Sequence, residues 1–247
     1  MSRRPAGELN GLVVVVTGAT GSAGRATVLE LARSGAEVVA VGRAEHRLAA
    51  LFGGLDGVHS QVAELSDAAH CQALAERIRR RHSRIDGLVH LVGGWRGSSS
   101  FTSNTDDDWA FLSRTLIDSL RHVTLALHDD LAGSADGRAV IVSATAADSP
   151  TPGAASYAAA KAACEAWLLA LAQSFYLTQS GSKTAPVPQH CAATILVVKA
   201  LLDQGMRDAA PDKLFTGFTD VRDLASRIVE LFTEEAADIN GARIVLP

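Results

Sequence analysis

Short runs rich in valine, isoleucine and leucine alternate along this chain with longer segments in which apolar residues recur every three or four positions. Leu12–Val16, Glu37–Val41, Val58–Val62, Gly87–Val92, Ala139–Ser143 and Thr194–Val198 read as strands, and Ile244–Leu246 as a seventh. Strands apolar at successive positions are buried on both faces. Ser22–Arg33, Glu45–Leu51, Asp67–Arg81, Asp107–Leu131, Ser156–Leu177 and Asp220–Thr233 read as helices between them. Strand–helix alternation predicts βαβ units and a parallel sheet covered on both sides, an α/β domain over residues 9–247 with residues 1–8 as a loose tail. Gln179–Gln189, with Gly181, Pro186 and Pro188, is expected to be a loop, and 199–218 a lid over substrate.

Composition narrows the setting. Of 247 residues, 47% are hydrophobic and 20% charged, which suits one large core. A net charge of −4 and a pI near 6.0 argue against nucleic acid as partner. Cys71, Cys164 and Cys191 have no paired spacing, so reduced thiols in the cytoplasm are expected rather than a disulfide frame or a zinc site, and no metal is assigned. Arg3 and Arg4 precede no apolar stretch of signal length, and Leu12–Val16 is too short to span a membrane. The basic run from Arg77 to Arg84 reads as a helix end whose cations complement the dipole. Asp106–Asp108 after Thr105 reads as a capped, acidic helix start.

The candidate chemistry begins at the first strand. It runs directly into Thr17-Gly18-Ala19-Thr20-Gly21-Ser22-Ala23-Gly24 and then into a helix. Glycines there permit a tight turn and close approach of backbone to a pyrophosphate, which the helix N-terminus attracts. This is a Rossmann-type dinucleotide fingerprint in its proper context. The second strand ends at Gly42-Arg43, where an NAD site usually carries an acidic residue. Arginine suits a 2′-phosphate, so NADP is favoured over NAD. The cofactor-binding set is Gly18, Thr20, Gly21, Ser22, Ala23, Gly24, Arg43, Glu64, Leu65, Gly93, Gly94, Tyr157 and Lys161.

Tyr157 and Lys161 lie four apart at the start of an alanine-rich helix, hence on one face. An ammonium beside a phenol favours the phenolate and is expected to lower its pKa. Such a tyrosine can exchange a proton with a substrate oxygen while hydride moves to or from nicotinamide.

With these motifs the chain resembles the short-chain dehydrogenase/reductase family over nearly its whole length. Leu9-Asn10-Gly11, Ile85-Asp86-Gly87-Leu88-Val89, Pro152-Gly153 and Ile239-Asn240-Gly241 add to the likeness. The resemblance implies a seven-stranded doubly wound sheet, an NAD(P)(H) cofactor, alcohol–carbonyl redox chemistry and a lysine that also holds the nicotinamide ribose. The departures are specific. Ser22 stands where the family's middle glycine falls. His90-Leu91-Val92-Gly93 replaces its Asn-Asn-Ala-Gly, Leu116 falls near its helix asparagine, and Val198-Lys199 replaces a Pro-Gly. The family's catalytic serine, thirteen residues before the tyrosine, is Ala144, flanked by Ser143 and Thr145; Ser143 joins Tyr157 and Lys161 in the candidate catalytic set. Val92-Gly93-Gly94-Trp95 together with Ala144 is similar to the dihydropteridine reductase branch, which works with tyrosine and lysine alone. That branch is NADH-linked, which Gly42-Arg43 does not match.

Trp95, after the fourth strand, is expected to wall the substrate pocket, and His90 to be structural. The helix from Ser156 is apolar nearly all round, so it is expected to pair, with 107–131, across a twofold axis in a homodimer or tetramer, as the resemblance implies. The leading expectation is an NADP(H)-linked oxidoreductase acting on a small carbonyl, alcohol or activated double bond. A redox-sensing cofactor binder without turnover and an isomerase or lyase on the same scaffold are the alternatives.

Overall fold

The computed structural model describes residues 8–179, 181, 182 and 184–247, so the expected tail, apart from Glu8, lies outside the described residues. Seven parallel strands form the main sheet: β1 (Val13–Thr17), β2 (Glu37–Gly42), β3 (Val58–Val62), β4 (Gly87–His90), β5 (Arg138–Ala144), β6 (Ala192–Val198) and β7 (Arg243–Val245), in the spatial order β3-β2-β1-β4-β5-β6-β7. This is the doubly wound Rossmann arrangement. The order reverses between β1 and β4, and a ligand crevice opens outside the strand C-termini at such a switch point.

Alternation along each strand divides the core. Val13 and Val15 of β1 face one layer, built with Leu74 and Ile78 of α3 (Ala68–His82) and Leu168 of α6 (Ala155–Gln179). Val14 and Val16 face the other, with Val28 and Leu31 of α1 (Ser22–Arg33) and Leu224 and Ile228 of α8 (Val221–Leu231). Both faces of the inner strands are buried, which is why these read as continuous apolar runs, whereas the edge strand β3 is partly exposed.

The elements differ from expectation mainly at their ends. Asp67 and Asp220 are not helical; they cap α3 and α8, accepting from His70 N and Arg222 N. β4 stops at His90, two residues early, because Leu91 and Val92 turn toward the crevice. The expected helix 107–131 is broken into α4 (Asp106–Leu112), a π-helical stretch (Ser113–Asp118) and α5 (Ser119–Gly133). Ser113 Oγ donates to Ala110 O at 3.3 Å and Ser119 Oγ to Thr115 O at 2.5 Å, so hydroxyls compete with amides at both ends of the wide turn. In the expected loop, Gly181–Ser182 pairs with Ala185–Pro186. The segment 199–218 carries Leu201–Leu202, paired with Thr219–Asp220, and the short helix α7 (Gln204–Ala209).

The basic run packs on the protein itself. Arg79 Nη2 meets Asp130 at 2.7 Å and Arg84 meets the buried Asp86 at 2.6 Å. All three cysteines are buried and free, and no helix among the described residues is long and apolar enough to cross a membrane.

Candidate active site

The glycine turn sets the floor of the crevice. Gly18 has φ +70°, and a Cβ there would lie 2.6 Å from the Leu91 carbonyl. A Cβ on Gly24 would lie 2.2 Å from Gly18 O, so α1 presses directly on the turn. Gly21 caps α1 without any side-chain hydrogen bond, whereas α3 and α8 are capped by aspartates. The bare amides at the α1 start therefore remain for an anionic group.

Two cavities adjoin here, sharing Leu91, Val92 and Gly93. The first, about 390 Å³, lies over β1–β2 and is lined by Gly18, Thr20, Gly21, Arg43, Glu64 and Leu65 among others. Its backbone floor, uncapped helix and arginines fit the adenosine and phosphate portion of a dinucleotide. The second, about 450 Å³, lies over β4–β6 and is lined by Ala23, Gly93, Gly94, Trp95, Ala144, Tyr157 and Lys161 among others. Ser22 lines a smaller cleft beside the glycine turn with Arg25 and Arg47, and Gly24 supports the turn from beneath.

Arg47 escaped the sequence reading. It lies one helical turn beyond Arg43 on α2 (Glu45–Phe52) and reaches back to donate to Thr20 O at 3.0 Å. Its i+4 spacing from Arg43 was the available signal. Arg43 is exposed, with Glu64 at 3.9 Å.

In the second cavity Lys161 is buried and its Nζ donates to Val142 O at 2.7 Å, lying 5.9 Å from the Tyr157 ring centre. The expected lowering of the tyrosine by this ammonium is corrected here. Burial pushes the Tyr157 phenol above its ordinary value, with the Cys164 thiolate form adding to the rise. Burial likewise pushes Lys161 down. Both groups thus favour their neutral forms more than they would in water.

Ser143 lines the same cavity, but its hydroxyl donates to Glu165. Glu165 also accepts from Arg243 Nε at 2.9 Å, which ties β5, α6 and β7 together. The proton Ser143 would offer a substrate oxygen is therefore engaged on the helix side. Thr145 opens a 3-10 turn, and its carbonyl takes the amides of Asp148 and Ser149. Ala144 itself faces the cavity.

His90 is buried between the two halves. Its Nδ1 meets Thr17 Oγ1 at 2.8 Å and its Nε2 meets Ser119 Oγ at 3.2 Å. Ser119 spends its hydrogen on Thr115 O, so Nε2–H donates and Nδ1 accepts from Thr17. Burial, helped by the Lys161 charge, pushes the imidazole down to about 3. It is a neutral brace, not an acid or base at neutral pH.

Trp95 is 67% exposed on the cavity rim. Its loop is pinned to the turn before α6 by Ser98 N on Gly153 O at 2.7 Å and Asn104 Nδ2 on Pro152 O at 3.0 Å. These bonds tie the loop that walls the cavity to the turn that leads into the helix carrying Tyr157.

Comparison with known proteins agrees with this reading. Residues 12–179 match the model of the short chain dehydrogenase family. The chain is 24% identical over 237 residues to the 3-oxoacyl-[acyl-carrier-protein] reductase FabG of Haemophilus influenzae, covering 96% of each. It is 32% identical over 107 residues to a 3beta-hydroxysteroid dehydrogenase of Mediterraneibacter gnavus, a match spanning 42% of this chain and 39% of that protein. An NADPH-bound short chain oxidoreductase of Pseudomonas aeruginosa with an atypical catalytic center shares the fold, with TM-score 0.82, 24% identity, and 98% and 97% of the two chains covered. Glycine turn, switch-point crevice and family match converge: the chain belongs to the short-chain dehydrogenase family.

Proposed function

We propose that this protein is an NADP(H)-dependent dehydrogenase/reductase that interconverts a small carbonyl compound and its alcohol, with Tyr157 as the acid/base. One observation carries the reading: Tyr157 and Lys161 line one cavity with Gly93 and Gly94, next to a glycine turn that a dinucleotide fits. A bound nicotinamide supplies or accepts the hydride. In the reductive direction the Tyr157 O–H gives its proton to the substrate oxygen, and the phenolate left behind regains one from solvent. The raised pKa keeps that proton in place at neutral pH. Lys161, held on Val142 O, is in position to hold the nicotinamide ribose and to stabilise the phenolate as it forms. Arg43 and Arg47 flank the far end and favour a 2′-phosphate over a bare ribose. The NADPH in the Pseudomonas neighbour is in keeping with this choice. Segment 199–218 serves as a lid, with Lys199 Nζ 3.5 Å from Thr216 O.

A cofactor-binding protein without turnover is the second reading, favoured by Ala144 and by the engagement of Ser143 with Glu165. Loss of absorbance at the reduced-nicotinamide band, followed across a panel of ketones and aldehydes, separates the two. NADPH-dependent turnover that Tyr157→Phe removes supports catalysis. Tight NADPH binding with no turnover on any carbonyl supports the sensor.

We also propose a homodimer or tetramer through α5 and α6. Leu125 is 54% exposed, and Leu169, Tyr176 and Leu177 are 47%, 50% and 69% exposed, an apolar face that a monomer leaves in water. A monodisperse monomer in sedimentation at micromolar concentration overturns this.

A further inference from the structure

On the opposite, N-terminal edge of the sheet, three side chains converge whose residues are far apart in sequence. Glu37 opens β2, His59 is the second residue of β3, and His82 ends α3. One oxygen of Glu37 and one nitrogen of each imidazole lie within 4.8 Å of one another. His59 Nε2 and Glu37 Oε2 are 2.7 Å apart, and the two rings lie with centroids 4.9 Å apart. The His82 Nε2 atom is buried and has no hydrogen-bond partner. A buried imidazole nitrogen without a partner is uncommon, and here its ring is one of three clustered ligating groups.

We propose that Glu37, His59 and His82 bind a divalent transition-metal ion of the zinc type, with water completing the coordination. Two imidazoles and one carboxylate are a borderline donor set, suited to zinc and unsuited to magnesium or calcium, which take oxygen ligands. Zinc bonds of about 2.0–2.2 Å place tetrahedral donors about 3.3–3.5 Å apart. The His59–Glu37 pair must open, and a pair as wide as the 4.8 Å limit must close by about 1.3–1.5 Å, which side-chain rotation supplies. Glu37 and His59 have side chains 48% and 25% exposed, so an ion and its water can enter.

One contact has to change. Arg81 Nη2 lies 3.1 Å from His59 Nδ1, so that nitrogen accepts and Nε2 carries the ring's hydrogen toward Glu37. On metal binding the hydrogen moves to Nδ1, Nε2 becomes the ligand, and the exposed Arg81 swings into water. Burial, with His59 and Arg81 near, already holds His82 toward the neutral form that ligates. The ion would bolt the sheet's edge strand β3 and the start of β2 to the end of α3. It lies away from the cofactor crevice, which opens at the strand C-termini, so catalysis is not its role.

The test uses untagged, chelator-treated protein titrated with zinc by calorimetry and in thermal melts. The wild type is expected to take up one equivalent and to melt higher in zinc but not in magnesium. His82→Ala and His59→Gln are each expected to weaken zinc binding about tenfold or more while NADPH binding is unchanged. Glu37→Gln, at a largely exposed side chain, repeats the test if either histidine variant fails to fold. The proposal is overturned if no saturable zinc binding occurs, if magnesium binds equally well, or if the variants keep the wild-type affinity.

Discussion

The two cavities of the crevice are built by different means. Over β1 and β2 the walls are largely backbone: a positive-φ glycine, a second glycine beneath it and an uncapped helix start. Over β4 to β6 the walls are side chains whose functional atoms are already engaged: Lys161 on Val142 O, Ser143 on Glu165, His90 on Thr17 and Ser119. A backbone site is defined by what is absent: a Cβ on Gly18 or Gly24 would stand 2.6 or 2.2 Å from backbone. A side-chain site is defined by what each group is bonded to, and a single replaced partner redirects it. The first half should therefore tolerate almost no substitution at Gly18 and Gly24 but lose cofactor preference gradually at its arginines. The second half should lose chemistry sharply at one residue and little at its neighbours.

The largest effect is expected at Tyr157. Tyr157→Phe removes the only O–H proposed to reach substrate, and turnover should fall by about 10²–10⁴ with NADPH affinity unchanged. Steady-state rates with a responsive carbonyl, alongside fluorescence titration of NADPH, check both halves of that statement. Equal losses in turnover and cofactor affinity would mean that the phenol is a binding group. Next in size is Gly24→Val. Its Cβ alone would stand 2.2 Å from Gly18 O, so α1 must shift away from the turn. We expect about 1–3 kcal/mol of lost stability in urea unfolding, together with loss of NADPH binding.

How much of this the sequence disclosed follows the same division. The glycine turn was legible because backbone demands are written as glycine, and each predicted turn residue lies at the crevice or directly beneath it. Gly42-Arg43 was legible in the same way, as a missing acid followed by a cation. The central strands were legible because both their faces are buried, so they read as unbroken apolar runs. The break in the helix after Asp106 was not, since serines at 113 and 119 are as common on a continuous helix surface as at a π turn. Nor was the Ser143–Glu165–Arg243 link, which joins three segments that only the folded sheet brings together. The expected acidification of Tyr157 failed because spacing places Lys161 on the right face but does not say how deeply the phenol is buried.

The arginines sharpen the contrast at moderate cost. Arg43→Ala and Arg47→Ala should each weaken NADPH binding about tenfold to a hundredfold while leaving NADH binding nearly unchanged, since a charged hydrogen bond to phosphate is worth about 1.5–3 kcal/mol. If Arg47 alone carries the preference, the exposed Arg43 is neutralised by Glu64 in the bound state as well. Equal losses for both dinucleotides would place these side chains on the shared pyrophosphate instead.

The smallest effect comes from the residue that joins the halves. His90 bonds Thr17 of β1 on one side and Ser119 of α5 on the other. Its imidazole is pushed down to about 3 from an ordinary 6.5. Between those values the unfolded chain binds a proton that the native state refuses. The stabilisation is therefore complete above about pH 6.5 and is lost progressively as the pH falls toward 3. Between pH 7 and 5 this one group should remove about 2 kcal/mol of stability, from 1.36 kcal/mol per pKa unit. His90→Asn keeps a donor and an acceptor but cannot titrate. Urea unfolding at the two pH values should show a loss smaller by about that amount in the variant than in the wild type. Identical losses would mean that the ring is protonated in the native protein, in which case Thr17 cannot be donating to it and the neutral brace between the two cavities does not exist.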